Sequence, residues 1–270
     1  NFGVQMPAGK KLLHSTLDPT DYNKSLEVAD GLIGDAQLTL QMLVEALKER
    51  VGNKGRDLKD GVAKEIKGYN DAWMAEWMPK LTSNATPLDP YRVVWDLRNT
   101  ADASNTIITH DAGSPREQLS PFWECTEPLS YIGWGKTTQL GSGLGFAMGA
   151  KLAHPEKLCV NFWGDAAIGF TGMDFETCAR ERIPIMSMLM NNYSMAIELG
   201  IMAESTKLYR TTDISGNYSE MAKAFGCYGE RIESPDQIVP AIKRGIQKTE
   251  EGVPVLLEFM TDKETSISTF

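Results

Sequence analysis

The chain has 270 residues, of which 42% are hydrophobic and 23% are charged, and its formal net charge is −9. This composition is that of a soluble globular protein, and the length allows one large domain or one and a half ordinary ones. The acidic balance argues against nucleic acid or a membrane surface as the main partner, because both favour basic protein surfaces.

The cysteines and the start of the chain bear on its compartment and origin. Four cysteines lie far apart without a C-x-x-C pair, so we expect buried, reduced thiols in a cytoplasmic protein. We expect no membrane span, which needs roughly 18 apolar residues in a row, and no signal peptide. The chain opens on Asn1 in mid-pattern, which suggests part of a longer polypeptide or a processed product.

The N-terminal part predicts a short α/β segment. Residues 11–16 and 31–33 predict strands, and residues 36–50, with apolar side chains at helical spacing, predict a helix. The polar stretch 51–61 indicates a loop. Residues 62–81 predict a second helix.

A stretch rich in Ser, Asn, Thr and Pro, residues 82–90, predicts a domain boundary. Strands and helices then alternate to the C-terminus, which indicates an α/β domain with a parallel sheet of five or six strands and helices on both faces. The expected helices cover 91–101, 140–153, 218–225 and 235–249, and the expected strands cover 105–110, 158–163, 184–190, 227–232 and 254–260.

Two of these strands end in polar residues. The apolar run Leu158 to Trp163 is followed by Gly164-Asp165, and the run Pro184 to Met190 is followed by Asn191-Asn192. In a parallel sheet both strand ends open on the same edge, where ligands bind. We therefore expect these polar residues to lie close together.

The residue types at this edge suit a metal-bound diphosphate. The carboxylate of Asp165 and the carboxamide of Asn192 offer hard oxygen atoms to a cation such as Mg²⁺, which also binds phosphate oxygens and water. Gly164 and the small Ala166 and Ala167 let backbone N–H groups approach an anion at a helix N-terminus. Taken singly, an Asp after a strand is also an ordinary helix cap, and Asn-Asn is also an ordinary turn.

Together these residues resemble the signature of thiamine diphosphate enzymes, in which a G-D-G run precedes N-N. Here Gly164-Asp165-Ala166 precedes Asn191-Asn192 by 24 residues, from Ala167 to Met190. The resemblance implies that Asp165 and Asn192 bind Mg²⁺ through their side chains and that Ser194 binds it through its backbone carbonyl. Ala166 replaces the second glycine, which a backbone with negative φ allows.

The glycine-rich segment Gly133 to Gly149 matches neither common nucleotide motif. No G-x-G-x-x-G spacing follows a strand here, so we reject a nicotinamide-binding fold, and Ser130 stands where a P-loop needs glycine. The resemblance implies that this segment supports the bent cofactor. Thr138 would offer a backbone carbonyl to the aminopyrimidine, and Leu140 would lie beneath the bend.

A third strand end, at Asp111-Ala112-Gly113-Ser114, is a further candidate for the diphosphate edge. Gly113 permits a close approach of the backbone, and Ser114 offers a hydroxyl donor. Family members often carry a larger amide or imidazole pair at this point, from which Ser114-Pro115 departs. An ordinary turn is an equal alternative at Pro115.

Glu198 is the candidate catalytic residue. The run Asn191 to Glu198 resembles that of pyruvate decarboxylases, in which the final Ile and Glu, here Ile197 and Glu198, face the reacting carbon. A desolvated carboxyl group there could move protons as a substrate carboxylate leaves. The alternative is a Glu at the start of a helix, where it interacts favourably with the macrodipole.

The resemblance to the acetolactate synthase branch of this family implies the organisation and activity of the whole. Residues 1–52 would end a central domain, 53–89 would form a linker and connecting helix, and 90–270 would bind thiamine diphosphate and Mg²⁺. We expect C–C bond cleavage or formation next to a carbonyl, as in a lyase or transferase acting on a small carbonyl substrate. A pyrimidine-binding domain, from a partner chain or a missing N-terminal part, would complete the site in a homo- or hetero-oligomer, a dimer or tetramer. The alternative is a non-catalytic or regulatory subunit that keeps the fold.

Overall fold

The computed structural model describes residues 9–24, 26–53, 61–135 and 139–268. The chain divides into two compact units, of which the first ends at Ala72 and the second begins at Trp73. This division reflects contacts within the chain and does not test the expected domains at 1–52, 53–89 and 90–270, which stay a prediction.

The first unit contains a parallel pair of strands and a helix. Strands β1 (Leu13–Thr16) and β2 (Asp30–Ile33) pair in parallel, and helix α1 (Ala36–Val51) follows. The carboxylate of Asp35 caps α1 by accepting the Leu38 N–H at 3.0 Å. Of the loop expected at 51–61, residues 54–60 lie outside the described part of the chain.

The boundary between the units falls inside helix α2 (Val62–Leu81). Its C-terminal part packs in the second unit, where Trp77 meets Tyr91 and Phe122 at ring-centroid distances of 4.8 and 5.6 Å. Trp73 stacks on Phe122 at 4.9 Å. The tryptophans of this helix therefore serve packing.

The second unit is built on a six-stranded sheet in which every pair of neighbours is parallel, in the order β4-β3-β5-β6-β8-β7. The prediction of a parallel α/β sheet of five or six strands is thus confirmed. The strands are β3 (Thr106–His110), β4 (Tyr131–Ile132), β5 (Leu158–Gly164), β6 (Met186–Asn191), β7 (Tyr228–Ile232) and β8 (Val255–Met260).

Helices cover both faces of this sheet, with one hydrophobic cluster on each side. Phe162 belongs to one cluster and its neighbour Trp163 to the other, because successive side chains of a strand point to opposite faces. The helices are α3 (Pro90–Thr100), α4 (Ser114–Leu119), α5 (Ser142–Ala153), α6 (Asp165–Thr171), α7 (Phe175–Arg180), α8 (Ala203–Tyr209), α9 (Tyr218–Ala224) and α10 (Pro235–Glu250).

Strand β4 and helices α4 and α8 were not predicted from the sequence pattern. Strand β4 has only two residues, and α8 has no buried residue, so neither produces a readable hydrophobic period. Helix α6 begins at Asp165 itself, directly after β5. Three of the four cysteines, all except Cys125, are buried, and all four are free. Within the described ranges, every helix is too short or too polar to cross a bilayer.

Candidate functional site

A cavity of about 350 Å³ lies at the carboxyl edge of the sheet. The ends of β3, β5, β6 and β8 all contribute to its wall, as expected for ligand binding in a parallel α/β sheet. Thr138 falls outside the described residues. The other predicted site residues all line this cavity, namely Gly113, Ser114, Leu140, Gly164, Asp165, Ala166, Ala167, Asn192, Ser194, Ile197 and Glu198.

Asp165 and Asn192 meet at one point of the cavity wall. The Asp165 carboxylate oxygen Oδ2 accepts the backbone N–H groups of Asn192 and Ser194, each at 3.1 Å. The Asn192 side-chain oxygen Oδ1 accepts the same Ser194 N–H at 2.9 Å. The loop after β6 therefore closes around the carboxylate that follows β5, because these two strands are neighbours in the sheet.

Asp165 is nearly buried, with 3% of its surface exposed. Burial raises the pKa of its carboxyl group to about 6, against the opposing effect of backbone N–H groups led by those of Ser194 and Asn192. These hydrogen bonds to a charged acceptor are of the strong kind. They fix the positions of both residues.

Small residues let the backbone line the cavity. Gly113, which precedes α4, has a φ of +84°, a value that side chains rarely allow. Ala166 is the second residue of α6 and has the negative φ of a helix. The methyl group that departs from the family signature is therefore accommodated. Pro115 lies in the first turn of α4, where proline is favoured.

The third strand end contains a buried carboxylate, Asp111, to which sequence reasoning assigned no role of its own. Asp111 is fully buried, and its Oδ1 accepts the N–H groups of Ala112 at 2.7 Å and Gly141 at 2.9 Å. Its Oδ2 accepts the Gly143 N–H at 2.9 Å. Asp111 thus holds the start of α5 and the loop that carries Leu140. The available signal was an Asp directly after a buried strand, the same signal that identified Asp165.

Glu258, in the middle of the apolar strand β8, holds the loop that follows β6. Sequence reasoning did not identify this residue. Its Oε1 accepts the Asn191 side-chain N–H at 2.7 Å, and its Oε2 accepts the Ser219 N–H at 2.9 Å. Asn191 in turn accepts the Tyr193 N–H at 3.1 Å. A fully buried acid inside an apolar strand needs such partners, and its presence in the run VLLEFM was the signal.

Glu198 and Ile197 lie farther along the cavity wall, in a short 3₁₀ helix, Ala196–Glu198. The backbone N–H of Glu198 donates to the Met195 carbonyl at 2.9 Å. Glu198 is partly exposed and lines the cavity. This placement allows contact with a bound ligand, and its assignment as a catalytic residue stays a prediction.

The donor set is compatible with Mg²⁺. Among the residues that the structure describes, no group of three or more His, Cys, Asp and Glu side chains could hold a metal. One carboxylate, one carboxamide and a backbone carbonyl are all oxygen donors, and such a set leaves coordination positions for phosphate and water. The residues present therefore fit a cation that reaches the site together with a phosphorylated ligand.

Parallel strands whose carboxyl ends surround one cavity are the arrangement in which α/β domains bind ligands and cofactors. Residues 111–259 match the model of the family described as thiamine pyrophosphate enzyme, C-terminal TPP binding domain. This match covers more than half of the chain. The chain therefore belongs to the thiamine pyrophosphate (thiamine diphosphate) enzyme family, to its C-terminal cofactor-binding domain.

The chain is also similar to acetolactate synthases along most of its length. A probable acetolactate synthase large subunit of Methanococcus aeolicus is 26% identical over 271 residues, covering 96% of this chain and 44% of the relative. The acetolactate synthase of Bacillus subtilis is 28% identical over 241 residues, 88% of this chain and 40% of the relative. The mitochondrial acetolactate synthase catalytic subunit of Saccharomyces cerevisiae is 24% identical, and the match covers 36% of that relative. The chain thus spans less than half the length of these relatives.

Proposed function

We propose that this chain supplies the metal and diphosphate half of the active site in a thiamine diphosphate-dependent enzyme of the acetolactate synthase-like kind. The enzyme cleaves or forms C–C bonds next to a carbonyl group, on 2-oxo acids or related compounds. The observation that carries this proposal is the meeting of Asp165 and Asn192, which stand 27 positions apart in the sequence, at one point of the cavity.

In this proposal the oxygen atoms of Asp165, Asn192 and the Ser194 backbone hold Mg²⁺. The diphosphate lies against backbone made accessible by small residues, which are Gly113, Ser114, Gly164, Ala166 and Ala167. When bound, thiamine diphosphate supplies a carbanion that adds to a carbonyl and a ring that then accepts electrons. The protein binds and orients it and excludes water from the cavity.

The remaining site residues act on the heterocyclic end. Leu140 would lie beneath the bent cofactor, and Thr138, which falls outside the described residues, would offer its backbone carbonyl to the aminopyrimidine amino group. Ile197 gives the reacting carbon an apolar neighbour. Glu198 holds or releases a proton as a substrate carboxylate leaves.

The other half of the site comes from a pyrimidine-binding domain with an activating glutamate. The acetolactate synthases similar to this chain are more than twice its length, which leaves room for such a domain in a partner chain or upstream of residue 1. We propose a cytoplasmic homo- or hetero-oligomer, a dimer or tetramer. A non-catalytic or regulatory subunit is the second candidate, and the intact Asp165 and Asn192 pair favours the enzyme.

Calorimetric titration of the chain with thiamine diphosphate, with and without Mg²⁺, tests the proposal. We expect Mg²⁺-dependent binding that Asp165→Ala and Asn192→Ala each weaken by at least the roughly 10- to 100-fold that is typical for residues supporting a metal ligand. Asp174→Ala is the matched control, since Asp174 is exposed and lies shortly after α6, the helix that begins at Asp165. Undiminished Mg²⁺-dependent affinity in the two site variants would refute the ligand assignment.

A further inference from the structure

The loop that carries Leu140 is tied to the body of the domain at three places. Asp111 accepts the Gly141 and Gly143 N–H groups. The Thr171 hydroxyl donates to the Gly141 carbonyl at 2.9 Å, and the Thr109 hydroxyl donates to the Gly143 carbonyl at 2.9 Å. Since buried backbone groups need partners, these bonds determine where the loop lies.

The loop at the metal end is tied down by different residues. Asp165 accepts the N–H groups of Asn192 and Ser194, and Glu258 acts on the same loop through Asn191. The two ends of the cavity therefore have separate supports. Neither Asp111 nor Glu258 lines the cavity itself.

We propose that Asp111 is a positioning residue that places Leu140, and thereby sets affinity for the heterocyclic part of thiamine diphosphate independently of the metal and diphosphate end. This inference rests on the function proposed above. It assigns Asp111 no contact with the cofactor, because its carboxylate is fully buried beneath the cavity wall.

The change Asp111→Asn isolates this role. The amide oxygen can keep the Oδ1 contacts to Ala112 and Gly141. The amide nitrogen then faces the N–H groups of Gly143 and Gly141, which Oδ2 accepts at 2.9 and 3.1 Å, donor against donor. The disturbance falls on the start of α5 and spares the backbone at Gly113. Leu140 then moves relative to the rest of the cavity.

The test compares two probes, thiamine diphosphate and inorganic pyrophosphate, each titrated into the full chain in Mg²⁺ by calorimetry. Only the first probe reaches Leu140, so the ratio of the two affinities measures the heterocyclic end. For Asp111→Asn we expect thiamine diphosphate affinity to fall by about 10-fold or more, as for other supporting residues, with pyrophosphate affinity unchanged. Glu258→Gln is the contrasting variant, which lowers both affinities by the same factor and leaves the ratio unchanged.

Thr171→Val gives a milder form of the test should Asp111→Asn fold poorly. It removes one hydrogen bond to Gly141, and we expect a loss of thiamine diphosphate affinity of about 2- to 10-fold, the value of one hydrogen bond, again without effect on pyrophosphate. Equal loss for both probes, or loss for neither, overturns the positioning role. If the wild-type chain binds neither probe, the proposed function is refuted. If the wild-type chain binds both probes with equal affinity, only the proposed contact of Leu140 with the heterocyclic part is refuted.

Discussion

Gly143, in the first turn of α5, is a position where a single methyl group should be costly. A Cβ atom added there would lie 2.5 Å from the Asn161 oxygen Oδ1, 3.1 Å from the Asp111 oxygen Oδ2 and 3.3 Å from the His110 carbonyl carbon. Asn161 and Asp111 are fully buried. Since nonbonded atoms prefer separations of about 3.5 Å, Asn161 must retreat by about 1 Å in a packed core.

Gly145 in the same helix is the matched control, because a Cβ atom added there meets nothing within 4 Å. Both changes replace glycine by alanine in α5, so the difference between their unfolding free energies reports chiefly on the overpacking at residue 143. We expect Gly143→Ala to be less stable than Gly145→Ala by about 1–3 kcal/mol. Gly149→Ala, also in open space, should behave like Gly145→Ala.

Urea unfolding followed by tryptophan fluorescence measures this difference cleanly. All six tryptophans lie between Trp73 and Trp163, within the second unit, so the signal reports on the sheet domain alone. If the unfolding free energies of Gly143→Ala and Gly145→Ala agreed within about 0.5 kcal/mol, the spread for neutral surface changes, the packing at the start of α5 would not be as described.

Two further predictions concern acidic residues. Burial raises the pKa of Asp89 to about 6, and the charged groups that act on it are Lys80, Asp262 and Glu264. Because the folded state favours the neutral acid, the stability of the protein falls as the pH rises from about 4 through about 6. Asp89→Asn should therefore raise the unfolding free energy by about 1–3 kcal/mol at pH 8 and should hardly change it at pH 4. Asp102→Asn, at an exposed cap where hydrogen bonds from Ser104 lower the pKa, should give no such gain in thermal melts. Glu198→Gln, assayed in the complete enzyme with its pyrimidine-binding domain, should lower kcat by about 10²- to 10⁴-fold and leave cofactor affinity unchanged. The control Glu204→Gln, at an exposed position, should change neither quantity. Unchanged turnover in Glu198→Gln would remove Glu198 from the mechanism.

The sequence predicted which strand ends meet at the cavity because its signals are local. Each of the runs Leu158 to Trp163 and Pro184 to Met190 is apolar enough to indicate a buried strand, and each ends in polar residues. Parallel pairing then follows from the alternation with helices, and it brings Asp165 and Asn192 to the same edge. Their meeting required no knowledge of side-chain packing.

The supporting carboxylates could not be assigned in this way. Asp111 bonds to Gly141, 30 residues away, and Glu258 bonds to Ser219, 39 residues away. In both cases the partner is a backbone N–H group, which every residue except proline carries. An acidic residue in an apolar stretch of sequence indicates that a hydrogen-bond donor lies near it in the fold. Only the three-dimensional structure shows which donor that is.

Asp111, Asp165 and Glu258 share one physical task. Where a loop leaves the edge of the sheet it loses the backbone partners of a strand, and a carboxylate with two oxygen atoms can accept several of the N–H groups left over. Asp111 accepts backbone N–H groups only, Glu258 accepts one backbone N–H and the side-chain N–H of Asn191, and Asp165 also lines the cavity. Loss of affinity in Asp165→Ala therefore combines a missing ligand with a loosened loop. Asn192→Ala removes the contact of the Ser194 N–H to the Asn192 oxygen, but the backbone N–H groups of residues 192 and 194 keep Asp165 as acceptor, so this variant loosens the loop less and reports more directly on the proposed metal ligand.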